Sequence, residues 1–114
     1  MEDCIFCKII DKEIPSQLVY EDDNIIAFND INPQAPIHIL IVPKKHIDSL
    51  ISIKEEDYKL IYEIYRIINI LAEKLEIDTQ GFRIITNCGE AAGQTVKHLH
   101  FHLLAGQKLG EKII

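Results

Sequence analysis

His98-Leu99-His100-Phe101-His102-Leu103-Leu104 is the stretch on which the reading of this chain turns. On a β-strand, successive side chains point to opposite faces. His98, His100 and His102 therefore share one face, and Leu99, Phe101 and Leu103 share the other. Same-face neighbours stand roughly 6.5–7 Å apart along a strand, which suits separate polar tasks along one bound molecule. Imidazole has a reference pKa of about 6.5, so it suits proton transfer or nucleophilic attack near neutral pH. A neutral imidazole nitrogen can attack phosphorus, and the phosphoramidate bond so formed is labile enough to hydrolyse afterwards. Two blander readings stand beside this one: three ligands to a metal ion, or polar decoration of an exposed sheet.

Upstream, the whole run Thr95 to Leu104 reads as the last strand. It follows a loop, Asn87 to Gln94, that carries Gly89 and Gly93. Phe82 to Thr86 is another strand. The clearest helix lies roughly between Lys54 and Glu76, where Leu60, Ile61, Ile64, Ile67, Ile68, Leu71 and Leu75 recur on one face. Ser52 is its expected N-cap, with Glu55 completing a capping box. Ile37 to Val42 is a buried strand stopped by Pro43, with His38 as its polar intruder. Asn32 to Pro36 is a loop fixed by two prolines. Val19–Glu21 and Ile25–Phe28 are strands joined by a turn at Asp22-Asp23-Asn24. Cys4 to Ile10 is a short helix. The expected fold is α+β: five short strands in a largely antiparallel sheet, one long helix and one minor helix. No repeat, linker or low-complexity segment divides residues 1–114, which read as a single domain.

With 12 Lys+Arg against 18 Asp+Glu, the net charge is −6, and 47% of residues are hydrophobic. That is enough apolar material for a core. No basic stripe is present, which argues against nucleic acid or an anionic membrane as partner. The start, Met1-Glu2-Asp3-Cys4, is acidic and no long apolar stretch follows, so no secretory signal is expected. No apolar run approaches the ~20 residues needed to span a bilayer. Three cysteines is an odd count, and Cys4 and Cys7 are too close for an ordinary structural bridge. A reducing compartment, hence the cytoplasm, is expected.

The chain resembles the histidine triad family, in its Hint-like, nucleotide-binding branch. The family's mark is His-x-His-x-His followed by two apolar residues, and His98 to Leu104 fit it throughout. The likeness extends to Gly93-Gln94-Thr95-Val96, to Phe28 through Pro36, and to Val42-Pro43-Lys44-Lys45-His46. It departs from many Hint-like enzymes at Gly106 to Ile114, which has neither Trp nor Pro and leaves leaving-group preference open.

The resemblance implies that His100 is a nucleophile toward the α-phosphorus of a nucleotide, forming a nucleotidyl-histidine that water then hydrolyses. It implies that His102 contacts the phosphate and helps with protons at the leaving group, and that His38 supports the catalytic histidine. Asn87, Gln94 and Thr95 match positions that hydrogen-bond phosphate or leaving group, assisted by backbone amides near Thr95 and Val96. Asp30 matches a ribose-binding acid; as a bare residue it reads equally as a turn former before Pro33. Ile5, Phe6, Ile9, Phe28 and Ile31 match an apolar purine slot, against the alternative of ordinary core.

Cys4-x-x-Cys7 has the spacing of half a zinc site or of a redox pair, and the βαβ pattern usual for the redox motif is missing. His46 and His98 are left over from the chemistry above. With the two cysteines they match the Cys2His2 set by which some prokaryotic members of the family bind a structural zinc; the alternative is two buried thiols and two hydrogen-bonded histidines. No cofactor is implied for the chemistry itself, and Cys88 matches no ligand position. The family implies a homodimer with the sheet extended across it, and Tyr58, Tyr62 and Tyr65 on the long helix fit an interface as well as they fit plain surface. The leading function is hydrolysis of purine nucleoside phosphoramidates such as adenosine 5′-monophosphoramidate. Its rivals are dinucleoside polyphosphate hydrolysis and a nucleotide-binding scaffold with incidental turnover. A metal-dependent hydrolase with His98, His100 and His102 on one ion ranks last.

Overall fold

The computed structural model describes residues 3–114. Its elements run α1 (Ile5–Ile10), β1 (Leu18–Glu21), β2 (Ile25–Asn29), β3 (Ile37–Pro43), α2 (Tyr58–Lys74), β4 (Arg83–Ile85) and β5 (Phe101–Ala105), with short 3-10 turns between some of them. The five strands form one sheet in the order β1-β2-β3-β5-β4, antiparallel at every pairing. This is the expected α+β architecture.

Alternation along the strands sorts the side chains into two cores. Ile25, Ala27, Ile39, Ile41, Phe101 and Leu103 pack with Ile64, Ile67, Ile68 and Leu71 of α2. Ile26, Phe28, Leu40 and Val42 point the other way, toward Cys4, Phe6 and Ile9 at α1. His38 lies on this second side, with Leu40 and Val42, because β3 alternates strictly. The helix over one face has 17 residues and the helix over the other has 6, so the second face is only partly covered. The candidate site lies there.

Three local expectations are corrected. The long helix starts at Tyr58 rather than Lys54, because Asp57 folds its carboxylate back onto the Lys54 N–H at 3.0 Å and tightens the first turn to 3-10 over Glu55–Asp57. Ser52 is not the N-cap; it closes a separate 3-10 turn, Leu50–Ser52. The last strand begins at Phe101 rather than Thr95. Its partner β3 ends at Pro43, which has no N–H to donate, so the ladder stops. Residues before Phe101 are tied individually, Leu99 N–H to Ile47 O at 2.7 Å and His98 Nε2 to Pro43 O at 2.8 Å. Burial still alternates, with Leu99 inside the α2 core.

Helix α2 ends in a Schellman motif: Ile77 N–H bonds Ala72 O at 2.9 Å and Glu76 N–H bonds Glu73 O at 3.1 Å. The residue that must turn left-handed there is Glu76, at φ 58°, with no glycine to relieve it. A side chain in that region costs about 1 kcal/mol, so Glu76→Gly is expected to stabilise the fold by about that amount in urea unfolding. In the opposite direction, Ile67→Ala, at a site with 0% exposure, is expected to cost about 2–5 kcal/mol in the same measurement.

Candidate active site and metal centre

A groove of about 490 Å3 opens on the α1 face. His38 and Leu40 of β3, His100 and His102, and Asp30 and Ile31 from the loop after β2 line it together. Phe6 and Ile9 of α1 and Phe28 of β2 supply an apolar wall, flanked by Ile5, Thr95 and Val96. Eleven of the thirteen catalytic and substrate-binding candidates from the sequence therefore meet in one cleft. The two others do not line it. Gln94 braces its own loop: its amide donates to Asp48 O at 2.7 Å and Val96 O at 3.1 Å, and accepts from Gly89 N–H at 2.9 Å. Asn87 also lies off the groove wall.

The slot-or-core question for the five apolar residues divides. Phe6, Ile9 and Phe28 are buried in the second core and also line the groove. Ile5 and Ile31, at 44% and 87% exposure, are rim residues with an unsatisfied apolar surface. Asp30 does hold a turn, accepting the Asn32 N–H on Oδ1 at 2.8 Å, while Oδ2 remains 3.4 Å from His38 Nε2.

The central histidine has its proton placed by a partner whose role is not in question. Carbonyl oxygens only accept, so His100, 2.7 Å from His98 O, carries its proton on Nδ1. Its Nε2 is then the basic nitrogen. Burial pushes the His100 pKa below the ordinary histidine value, which keeps the ring neutral. Phe6 packs edge-on against it at 5.0 Å between centroids. His102 is pushed down to about 4, first by burial and then by His100 and His38. Its Nδ1 sits 2.9 Å from His38 Nε2.

The second cluster lies beside the groove. Cys4 Sγ is 3.2 Å from His98 Nδ1, and Cys7 Sγ is 3.3 Å from His46 Nδ1 and 3.6 Å from His98 Nδ1. All four ligand atoms lie within 4.8 Å of one another. Bonds of about 2.3 Å to sulfur and about 2.0–2.1 Å to nitrogen, arranged tetrahedrally, place S and N about 3.6 Å apart. The set fits a metal ion. Its tautomers fit too: His98 gives its Nε2–H to Pro43 O, and His46 gives its own to Asp48 Oδ1 at 2.7 Å, so both Nδ1 lone pairs face the thiols. Burial, then Cys4, push the Cys7 thiol up to about 11, so a cation is what would ionise it.

Asp30, His38 and His102 also approach one another closely enough to suggest a metal. They fail the tautomer test. The Gln34 N–H donates to His38 Nδ1 at 3.0 Å, so His38 Nε2 bears a proton and has no lone pair to offer. Nor do His98, His100 and His102 converge on one ion. The first turns to the thiols, the second to His98 O and the third to His38.

A family model described as scavenger mRNA decapping enzyme C-term binding matches residues 3–113. An uncharacterised HIT-like protein of Synechococcus elongatus is 46% identical over 108 residues, 95% of this chain and 94% of its own length. The chain belongs to the histidine triad family. A solved HIT family hydrolase from Clostridium thermocellum superposes with TM-score 0.97 at 52% identity, covering 100% of this chain and 99% of that one. A histidine triad protein from Clostridium difficile gives TM-score 0.95 at 55% identity, covering 98% and 97%.

Several residues at the triad site have no signal in the sequence pattern. Thr86 Oγ1 donates to His100 O at 2.8 Å and fixes the backbone of the central histidine. Gln34 acts through its amide and Pro43 through its carbonyl. Only Asp48 had a cue, two residues after His46.

Burial of neutral His102 makes stability depend on acid. Its folded value, about 4, lies below the unfolded 6.5. Between these, the unfolded chain binds the extra proton, so stability is full above pH 6.5 and falls as pH drops toward 4. His102→Gln is expected to flatten this limb by up to about 1 kcal/mol per pH unit, read by urea unfolding at several pH values.

Proposed function

We propose that the chain is a nucleotide hydrolase that cleaves purine nucleoside phosphoramidates, such as adenosine 5′-monophosphoramidate, at the α-phosphorus. One observation carries this reading: His100 lines the groove with Nδ1–H committed to His98 O, which leaves the Nε2 lone pair free to attack. The apolar wall of Phe6, Ile9 and Phe28, with Ile5 and Ile31 at the rim, holds a purine by burial and stacking. Asp30 Oδ2 accepts from ribose hydroxyls. In this reading Thr95, the backbone at Val96 and His102 contact the phosphate, and His38 supports the histidines from behind. Gln94 shapes the loop behind Thr95 through its own hydrogen bonds, and Asn87 is read as a contact to the leaving group.

His100 Nε2 donates its pair to phosphorus. The P–N bond of the substrate breaks, and the amine leaves with the bonding pair and a proton that His102 helps to deliver from solvent. The nucleotidyl-histidine keeps its Nδ1–H and is cationic, which His98 O stabilises. Water then attacks phosphorus, neutral His100 departs, and a nucleoside monophosphate and a proton are released.

A more open depression of about 720 Å3 adjoins the groove through Ile5, Thr95 and Val96. Among the described residues, Asp3 and Asp48 line it together with Lys97. Two carboxylates there repel a departing polyphosphate more than an amine, which favours the phosphoramidate over a dinucleoside polyphosphate.

Cys4, Cys7, His46 and His98 hold a structural zinc in this reading. Four protein ligands leave no open position, so the ion ties α1 to the histidine segment and takes no part in the reaction. The exposed Tyr58, Tyr62 and Tyr65 of α2 are read as the face on which a second copy packs, and the free thiols suit the cytoplasm.

His100→Ala is expected to lower turnover of adenosine 5′-monophosphoramidate by about 10³-fold or more while AMP still binds. Wild-type turnover in that variant would refute the nucleophile, and loss of turnover with AMP retained argues against a mere scaffold. The purified protein is expected to hold about one zinc per chain, with Cys4→Ala lowering both zinc content and thermal stability. Elemental analysis that finds no metal in protein never exposed to chelator removes the zinc.

A further inference from the structure

We propose that a second pocket, which shares Asp30 with the groove, is a subsite for an uncharged sugar carried on the 2′- or 3′-oxygen of the bound nucleotide. The proposal rests on the reading that Asp30 holds the ribose of a nucleotide in the groove.

The pocket has a volume of about 540 Å3, within the usual range of small-molecule sites. Pro15, Ser16, Asn29, Asp30 and Ile31 line both it and the groove, while Gln17 and Pro33 line the pocket alone. The histidines that face a phosphate and the Phe6, Ile9 and Phe28 wall that faces a purine line the groove but not the pocket. What the two spaces have in common is therefore the ribose end. Asp30 is fixed there, because its Oδ1 accepts the Asn32 N–H at 2.8 Å. A ribose that meets Asp30 through its hydroxyls carries any substituent on those oxygens toward the pocket. Only one oxygen need be substituted, so the other hydroxyl still donates to Asp30.

The lining fits sugar hydroxyls. Asn29 Nδ2 donates to Gln17 Oε1 at 3.4 Å, a long bond that leaves the Gln17 amide N–H groups and the Asn29 carbonyl oxygen for a ligand. Turning both amides over exchanges the roles and again leaves one donor and one acceptor. Ser16 adds a hydroxyl, which does both. A sugar hydroxyl also donates and accepts, so it matches all three. The frame is preformed. Asn29 N–H bonds Gln17 O at 3.0 Å and Asp30 N–H bonds His38 O at 2.9 Å, while Pro15 and Pro33 fix their own φ. Little ordering is then needed on binding.

A phosphate in the same place is disfavoured. Among the described residues that line the pocket, the one charged side chain is the Asp30 carboxylate. An anion would meet it with no cation alongside, in a chain of net charge −6. The pocket thus sorts nucleotides by what sits on the ribose: a neutral glycosyl group is accepted and a phosphate is turned away. The sorting acts on binding and leaves the attack by His100 untouched.

The test compares affinities by isothermal titration calorimetry for AMP, for AMP bearing ribose on its 2′- or its 3′-oxygen, and for adenosine 2′,5′-bisphosphate. One of the two glycosylated nucleotides is expected to bind about tenfold more tightly than AMP, the gain from about two hydrogen bonds, and the bisphosphate more weakly than AMP. Gln17→Ala, at an exposed position, is expected to lose the tenfold gain while its affinity for AMP stays as in the wild type. Gln17→Lys supplies a cation and is expected to raise affinity for the bisphosphate by about fivefold without changing that for AMP. If AMP binds and neither glycosylated form binds more tightly, the subsite is overturned and the nucleotide reading stands. A gain that survives Gln17→Ala, or a wild-type preference for the bisphosphate over AMP, also overturns it. So does a gain shown by AMP bearing ribose on the purine amine in place of the ribose oxygens. If AMP itself does not bind, the nucleotide reading fails and the subsite falls with it.

Discussion

His98 is fully buried, and both of its ring nitrogens and its carbonyl are committed. Its Nδ1 faces the thiols of Cys4 and Cys7, its Nε2–H is given to Pro43 O, and its carbonyl accepts from His100 Nδ1. A buried imidazole with a loose nitrogen would cost a few kcal/mol, and a buried His100 without an acceptor would be free to present either tautomer. This one residue therefore joins the metal centre to the attacking nitrogen. Anything that shifts its backbone disturbs both at once, whereas His46, bonded outward to Asp48, belongs to the metal centre alone.

The groove itself follows from unequal helices. Seventeen residues of α2 cover one face of the sheet and build the larger core. Six residues of α1 are too short to cover the other, and the polar side chains of β3 and β5, His38 and His102, lie in the uncovered part. Polar groups on a sheet face stay satisfied there only by finding one another or a ligand. Within the described residues, all buried side-chain nitrogens and oxygens are paired. The site is thus a consequence of leaving half a sheet face uncovered while keeping its polar atoms bonded.

What the sequence displayed was periodicity, because period 2 and period 3.6 are carried by side chains. The face of the three histidines, the intruder His38 and the apolar stripe of α2 were all legible for that reason. Helix ends and strand ends were less so. They turn on backbone partners: the fold-back of Asp57, the left-handed Glu76, and the missing N–H of Pro43 that frees residues 95–100 from the ladder. Gln94 illustrates the same limit. Its amide has the chemistry of a phosphate ligand, yet three bonds hold it to its own loop. The amide of Gln34 was invisible, since every residue but proline has one.

Three histidines two residues apart look interchangeable, but each turns to a different group. His98 is oriented by a carbonyl at Pro43 and His100 by a carbonyl at His98, while His102 meets His38, which is oriented by an amide at Gln34. Two carbonyls and one amide produce opposite results. A carbonyl pulls a proton to the near nitrogen and leaves the far one basic, which suits a metal ligand or a nucleophile. An amide fills the near nitrogen and leaves the far one carrying a proton, which suits the supporting role of His38. The division of labour among these rings is therefore made by backbone polarity rather than by any difference between the side chains.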